Sequence, residues 1–372
     1  MIHITLSNDL LRRIIKIEKN RDLLQTHHLP EGVVHRMRRI SRRKSTYASN
    51  RIEGNPLSEE DVEKVLNRDP HGHFLKPEQE IRNYYQALEL LEEKKNEDFS
   101  KELILQVQAK VVQGSSKEKI GLRGPMPPGV LFAVYDSNTG NIDYIPPEYC
   151  DVPKLLEELV AYVRTSDDHP LIKAAVVHYQ MVTIHPFEDG NGRTARLLSG
   201  YLLEKYGYGF LGIGSLDEYF AYDPEEYYDS LQMGLPALYY SGRNDPPHPE
   251  IWITYFLHMV ELYSAAVLRS VQKDDEALYT ALSHLRTKER RFLAYLLQNR
   301  IYSFAPAETA RILRVSNRTV INWSAELCRY GFLEPVMSGQ RIRTYRVSDY
   351  SGQYQEEILA REELFKTGRG II

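Results

Sequence analysis

The sequence predicts a mainly α-helical protein with one β-hairpin near its middle and a second small hairpin close to its C-terminus. Three observations lead there. Apolar residues recur at three- and four-residue spacing along most of the chain, as at Leu171, Ala174, Ala175, His178 and Met181. Residues 113–150 break that pattern with glycines, prolines and a run of β-formers. Beyond residue 286 the chain reads helix, helix, turn, helix, hairpin, a layout that stands as a unit of its own.

Residues 1–100 read as a helical region. Leu10, Leu11, Ile14, Ile15 and Ile17 give a crowded apolar face. The basic run 36–44 is expected to be a solvated helix face. Ser58, followed by three acids, is an N-cap signature. His71 and His73 alternate in a loop with no carboxylate or cysteine cluster, so they read as surface residues. Residues 80–93 form an amphipathic helix in which Asn83, Tyr84 and Tyr85 read as structural.

Residues 101–270 form the central domain. A helix over 101–112 leads to a hairpin at 129–146. Its strands are 130–135 and 142–145, and its turn is Asn138-Thr139-Gly140-Asn141. The helix through His178 must stop before Pro186, which has no N–H to donate. The next helix is closed by Gly207. A loop and helix carrying Tyr219, Tyr227 and Tyr228 follow, then a loop at 244–249. A long helix runs from Trp252 to about Leu285.

Residues 286–348 then give helices at 288–298, 306–313 and 317–330. Phe292, Leu293, Leu296 and Leu297 point inward, and a hairpin turns at Ser338-Gly339. This order resembles a winged helix-turn-helix. Twelve Lys/Arg stand against four acids between Arg286 and Arg346, and Arg318, Arg341 and Arg343 suit phosphates or base edges. DNA contact and a protein-contact or homodimer role both stay open for this part. Residues 349–372 read as a charged helical tail.

Composition excludes several classes. At 372 residues, formal charge −4, 42% apolar and 26% charged, the chain has the profile of an ordinary globular protein. Two cysteines, Cys150 and Cys328, cannot build a disulfide framework. No signal-peptide pattern and no run of eighteen apolar residues is visible, so a cytoplasmic protein without membrane contact is expected.

The densest chemistry lies in HPFEDGNGRTAR, residues 185–196. Gly190, Asn191 and Gly192 open a helix whose first N–H groups lack internal partners and carry a partial positive charge. Glycines let the backbone curl around an anion. Arg193 and Arg196 project from the first turn, so a polyphosphate is the natural occupant. Asp189 adds a hard oxygen ligand that suits Mg²⁺. His185, with a near-neutral pKa and no metal-type spacing around it, reads as a general base.

With every fixed position filled, this stretch resembles the signature of the Fic family, H-x-F-x-[DE]-G-N-G-R-x-x-R. The resemblance implies transfer of a nucleotide, usually AMP from ATP, onto a hydroxyl side chain of a target protein. It implies that His185 deprotonates that hydroxyl and that Asp189 holds Mg²⁺ between the α- and β-phosphates. Gly190, Asn191 and Gly192 would cradle phosphates, Arg193 and Arg196 would grip the β- and γ-phosphates, and Phe187 would anchor the loop in the core. The hairpin would be the flap that docks the target by adding a strand to its edge. Tyr219, Tyr227 and Tyr228 are candidates for contact with adenine.

A second stretch, Ser49-Asn50-Arg51-Ile52-Glu53-Gly54, resembles the family's inhibitory motif, [ST]-x-x-x-E-[GN], on a helix around 42–54. By that likeness Glu53 pairs with Arg196 and keeps the arginine from the γ-phosphate. One guanidinium cannot give the same bidentate bond to a carboxylate and to a phosphate.

The expectation is therefore an autoinhibited, auto-modifying protein adenylyltransferase using ATP and Mg²⁺ on a protein substrate of unknown identity. Two rivals stay open: removal of AMP or transfer of another phosphate-linked group, and a DNA-binding regulator that senses nucleotide.

Overall fold

The computed structural model describes residues 2–27, 29, 31–115, 120–135, 140–338 and 341–366. The hairpin turn residues Asn138 and Thr139 and the wing-turn residue Gly339 lie outside them, as do residues 367–372 of the tail. The chain divides into two compact units. The first takes in Met1–Leu24 and Met37–Val267, the second Gln25–Arg36 and Leu268–Ile372.

Helices come first: α1 Asn8–Gln25, α2 Glu31–Ile52, α3 Glu59–Leu66, α4 Lys76–Glu93 and α5 Lys101–Val112. On α1 only Leu10, Ile14 and Ile17 of the apolar group turn inward. Leu11 and Ile15 are 40% and 64% exposed, because five apolar residues in eight cannot share one helical face. Ser58 caps α3 in a complete capping box with Asp61.

The basic run on α2 is only in part the solvated face that its composition suggests: Arg36 and Arg39 are exposed, and the others are half-buried. Arg42 pairs with Glu89 and Glu92, Arg43 with Glu63 and Lys44 with Glu218, while Arg38 donates to the Leu211 carbonyl. The partners sit 20 to 174 residues away along the chain, beyond the reach of any local pattern.

The hairpin is shorter than expected. β1 Val134–Tyr135 pairs antiparallel with β2 Ile142–Tyr144, in the register Val134↔Tyr144 and Tyr135↔Ile142. Then follow α6 Val152–Thr165, α7 Pro170–Ile184 and α8 Asn191–Lys205. Helix α7 buries nearly its whole circumference, not one face, so it is the central element of the first unit. Helix α8 packs along it. Next come α9 Asp217–Tyr222, α10 Pro224–Gln232, α11 Ser241–Asn244 and α12 Glu250–His284.

Among the described residues, α12 is the one helix long and apolar enough to cross a membrane. Its Trp252, Ile253, Phe256, Leu257 and Val260 are all fully buried in the first unit, which accounts for that apolarity. Cys150 and Cys328 are both free thiols.

The second unit contains α13 Thr287–Gln298, β3 Ser303–Phe304, α14 Pro306–Leu313, α15 Asn317–Arg329, β4 Leu333–Ser338 and β5 Arg341–Val347. The strand order is β3-β5-β4, all antiparallel. Phe292, Leu293, Leu296, Leu297, Phe304, Val320, Leu327 and Phe332 are buried in this unit, with the Phe292 and Phe304 rings in edge contact. The helix–helix–turn–helix–hairpin order is therefore present, with β3 as an added strand. Arg318 and Arg343 are exposed; the Arg341 side chain lies outside the described residues. Residues 349–366 are helical. They form α16 Asp349–Gln353 and α17 Gln355–Lys366, which bury Ser351, Tyr354 and Ile358.

Candidate active site

The site is built where α7 gives way to α8. Pro186 forbids another helical turn, and His185 caps α7 in the left-handed region at φ 48°, ψ 58°. A β-carbon makes that conformation costly, on the order of 1–2 kcal/mol, so the surroundings must hold it. Arg123 does much of this. Its Nε donates to the His185 carbonyl at 2.8 Å and its backbone N–H to the Pro186 carbonyl at 2.9 Å. Its guanidinium also reaches the Pro147 carbonyl and lies 4.7 Å from the centre of the Phe132 ring, so one side chain ties the catalytic turn to the hairpin segment.

The His185 imidazole is half-buried. Its Nδ1 lies 3.2 Å from the Val182 carbonyl oxygen, which can only accept, so Nδ1 carries the proton and Nε2 keeps its lone pair. The near-neutral pKa expected from the sequence is not what the fold gives. Burial pushes it down to about 4, with the Arg123 charge acting in the same direction. The ring is thus unprotonated at neutral pH, the form a base requires. A base works deprotonated, so kcat/KM for free enzyme should be flat from about pH 6 upward and fall as pH drops through about 4. A profile that still climbs between pH 6 and 8 would count against His185.

Residues 186–190 form a short braced turn. Phe187 is fully buried and bridges Leu122. Asn191 holds the turn from both sides, its Oδ1 accepting from the Phe187 N–H at 3.0 Å and its Nδ2 donating to the Phe187 carbonyl at 2.9 Å. The Phe187 and Asn191 side chains are committed to shaping the turn, and neither is presented to a ligand. What Asn191 offers an anion is its backbone N–H, with those of Gly192 and Arg193, at the start of α8.

Gly190 caps α8 at φ 84°, and a β-carbon there would meet Val111 and Val112 at 3.1 and 3.0 Å. Gln108 donates to the Asp189 carbonyl at 3.3 Å. Asp189 faces the same turn, its Oδ1 2.9 Å from Arg193 Nη2. The Arg193 side chain is almost fully enclosed.

Arg196 is wholly buried, and its partners come from the end of α2. Its Nε donates to Ser49 Oγ at 2.7 Å. Its Nη2 donates to the Ser49 carbonyl at 3.0 Å and to Glu53 Oε1 at 2.7 Å. Ser49 and Glu53 therefore do meet the second arginine. The contact is not the bidentate fork expected from the motif, because one carboxylate oxygen takes one nitrogen. Gly192 makes the approach feasible, since a β-carbon there would stand 2.4 Å from Glu53 Oε1. The glycine read as a phosphate cradle is thus also the seat of the glutamate. About a third of the Glu53 side chain (32%) stays exposed.

Behind Arg196 lies a closed ring of hydrogen bonds that local spacing did not reveal. Ser199 Oγ donates to the Arg196 carbonyl at 3.0 Å, so it accepts from His178 Nδ1 at 3.1 Å. His178 Nε2 then accepts from the Tyr227 hydroxyl at 2.8 Å, and Tyr227 accepts from Arg196 Nη1 at 3.5 Å. Burial, helped by the Arg196 charge, keeps His178 neutral with a pKa well below the usual imidazole value. Tyr227 is thereby removed from the adenine candidates. It is 1% exposed, and its ring packs among Phe220, Tyr228 and Trp252, leaving no face for a base. Tyr228, 43% exposed, remains accessible. Tyr219 is half-buried beside Tyr263.

Residues 98–203 match the Fic/DOC family. The protein adenylyltransferase Fic of Culex quinquefasciatus is 27% identical over 230 residues, 60% of this chain and 43% of that protein. The protein adenylyltransferase Fic of Drosophila virilis is 28% identical over 202 residues, 53% of this chain and 40% of that protein. The chain thus spans less than half the length of these curated relatives. A Fic family protein from Desulfovibrio desulfuricans G20 superposes with a TM-score of 0.63 at 19% identity, covering 94% of this chain and 98% of that one. Fic-1 from C. elegans superposes with a TM-score of 0.53 at 24% identity, covering 73% and 74%. At these identities the two solved structures speak to the fold alone.

Proposed function

We propose, from the match of residues 98–203 to the Fic/DOC family, that the chain is a protein adenylyltransferase restrained by its own Glu53. The observation that carries the reading is the His185 imidazole, tied through Nδ1 to Val182 with its Nε2 lone pair left, beside the bare N-terminus of α8.

The chemistry then balances as follows. The hydroxyl oxygen of a target side chain attacks the α-phosphorus of ATP, and its proton passes to His185 Nε2. The bond from the α-phosphorus to the bridging oxygen breaks, and pyrophosphate leaves. The N–H groups of residues 191–193 and the Arg193 and Arg196 guanidiniums supply fixed positive charge for the phosphates. Of the three tyrosines, Tyr228 and Tyr219 keep accessible ring surface for adenine.

Asp189 is the residue that fits Mg²⁺. A lone carboxylate beside a phosphate-binding helix start is the donor set that ion takes when water and nucleotide oxygens fill its other positions. Among the described residues no group of three or more His, Cys, Asp or Glu could hold a metal. When bound, Mg²⁺ would neutralise phosphate charge. Purified protein incubated with α-labelled ATP should become labelled slowly in Mg²⁺ and not at all in excess EDTA. Labelling that survives EDTA would remove the role given to Asp189.

Glu53 restrains the reaction because Arg196 spends Nη2 on it. A γ-phosphate bound to Arg196 would need that same nitrogen, so the nucleotide either displaces Glu53 or sits askew.

A further inference from the structure

A cavity of about 220 Å³ lies within the first unit between α2, α4, α8 and the segment 208–217. None of His185, Asp189, Gly190 and Gly192 lines it, but Arg196 does, together with Ser41 and Ser45 of α2. Its volume is below the roughly 300–1,000 Å³ of drug-sized sites, so it does not take a nucleotide.

The walls say what it would take. Leu88, Leu91 and Leu197 make them largely apolar. Polar and charged side chains interrupt them, Arg38, Lys95 and Glu204 among them, and two buried groups bear most on what binds. Ser215 is 4% exposed, and its hydroxyl is buried without a hydrogen-bond partner. A buried polar group in that state calls for a partner. Asp217 is 7% exposed, and its Oδ2 alone accepts from both Ser45 and Tyr84. Burial pushes its carboxyl pKa upward, with the Arg196 charge acting the other way. Arg42, which also lines the cavity, is already paired with Glu89 and Glu92.

We propose that this cavity is a regulatory site for a small, mostly apolar molecule carrying a hydroxyl or amide group, and that its occupancy holds Glu53 on Arg196. The sign follows from linkage. The cavity is complete in the arrangement in which Ser49 and Glu53 engage Arg196, and α2 supplies both that contact and one wall. A ligand that binds this arrangement better than one with α2 displaced shifts the population toward it. The regulatory part rests on Glu53 acting as a restraint; the binding part does not.

The test uses indole, phenol and benzamide, each titrated calorimetrically into the full chain. Gly200 lines the cavity on α8 at an exposed position, and a β-carbon there meets nothing within 4 Å, so Gly200→Leu adds bulk at the cavity's open side without a backbone clash. Gly200→Ala is the control, too small to fill it. At least one probe should bind wild type and Gly200→Ala, with binding lost in Gly200→Leu. At saturation that probe should lower wild-type label transfer about 5-fold or more and leave Glu53→Gly transfer unchanged, although it still binds that variant. The site is refuted if no probe binds or if Gly200→Leu binds as well as wild type. The regulation is refuted if wild-type transfer is unaffected, or if Glu53→Gly is inhibited equally. Absence of transfer in every protein would sink the enzymatic reading, while the titrations would still decide the site.

Discussion

Glu53→Gly raises auto-modification from α-labelled ATP on the order of 10- to 100-fold, the equivalent of one charge-assisted hydrogen bond of about 1.5–3 kcal/mol. The lower end is expected, because the Glu53 side chain is a third exposed and water screens part of the interaction. Arg196 does not lose its place when Glu53 goes. Ser49 still accepts from Nε and Nη2, and Tyr227 still meets Nη1. The arginine therefore stays oriented but gains a free donor for phosphate. Glu53→Gln separates charge from bulk, since the amide fills the same seat over Gly192 without competing as an anion. It should fall between wild type and Glu53→Gly. Equal rates in all three proteins would mean that the 2.7 Å contact has no functional weight.

His185→Ala lowers label transfer about 10²- to 10⁴-fold, the usual contribution of a positioned general base. The measurement is best made in the Glu53→Gly background, where the starting rate is high. Nucleotide affinity should hardly change, because the phosphate-binding groups belong to α8 and the 186–190 turn is braced independently by Asn191 and Phe187. A fall in transfer accompanied by an equal loss of ATP binding would point to a collapsed turn rather than to a missing base. Thermal melting separates these, since alanine keeps the β-carbon and the backbone strain at φ 48°, so an intact turn should melt close to wild type and a collapsed one earlier.

Parts of this site are legible in the sequence because they are local. Pro186, Gly190 and the spacing of Arg193 and Arg196 act within one helix–turn–helix, where backbone chemistry dictates geometry. Helix α5 falls over 101–112 as its periodicity predicts. The pairing of Glu53 with Arg196 spans 143 residues, and it was readable only because a family motif pointed to it. Where no motif existed, nothing was readable. Arg123 reaches His185 across 62 residues and sits in a Gly-Leu-Arg-Gly stretch with no periodic neighbour to give it away. The ring from Arg196 through Tyr227, His178 and Ser199 joins α8, α10 and α7. His178 looked like any other inward residue of α7, though burial of a histidine already demands two partners. The basic run on α2 misled in part for the same reason, because its acids lie on α3, α4 and α9. In the C-terminal unit the two-residue strand β3 is too short to leave a period, and α17 hid its core residues among charges.

The most direct test of the central claim labels the Glu53→Gly protein with ATP carrying its radioactive phosphorus at the α position in one reaction and at the γ position in another, each with Mg²⁺. Adenylyl transfer puts the α label on protein and leaves the γ label in pyrophosphate. Retention of the γ label on protein, or of neither, would contradict it.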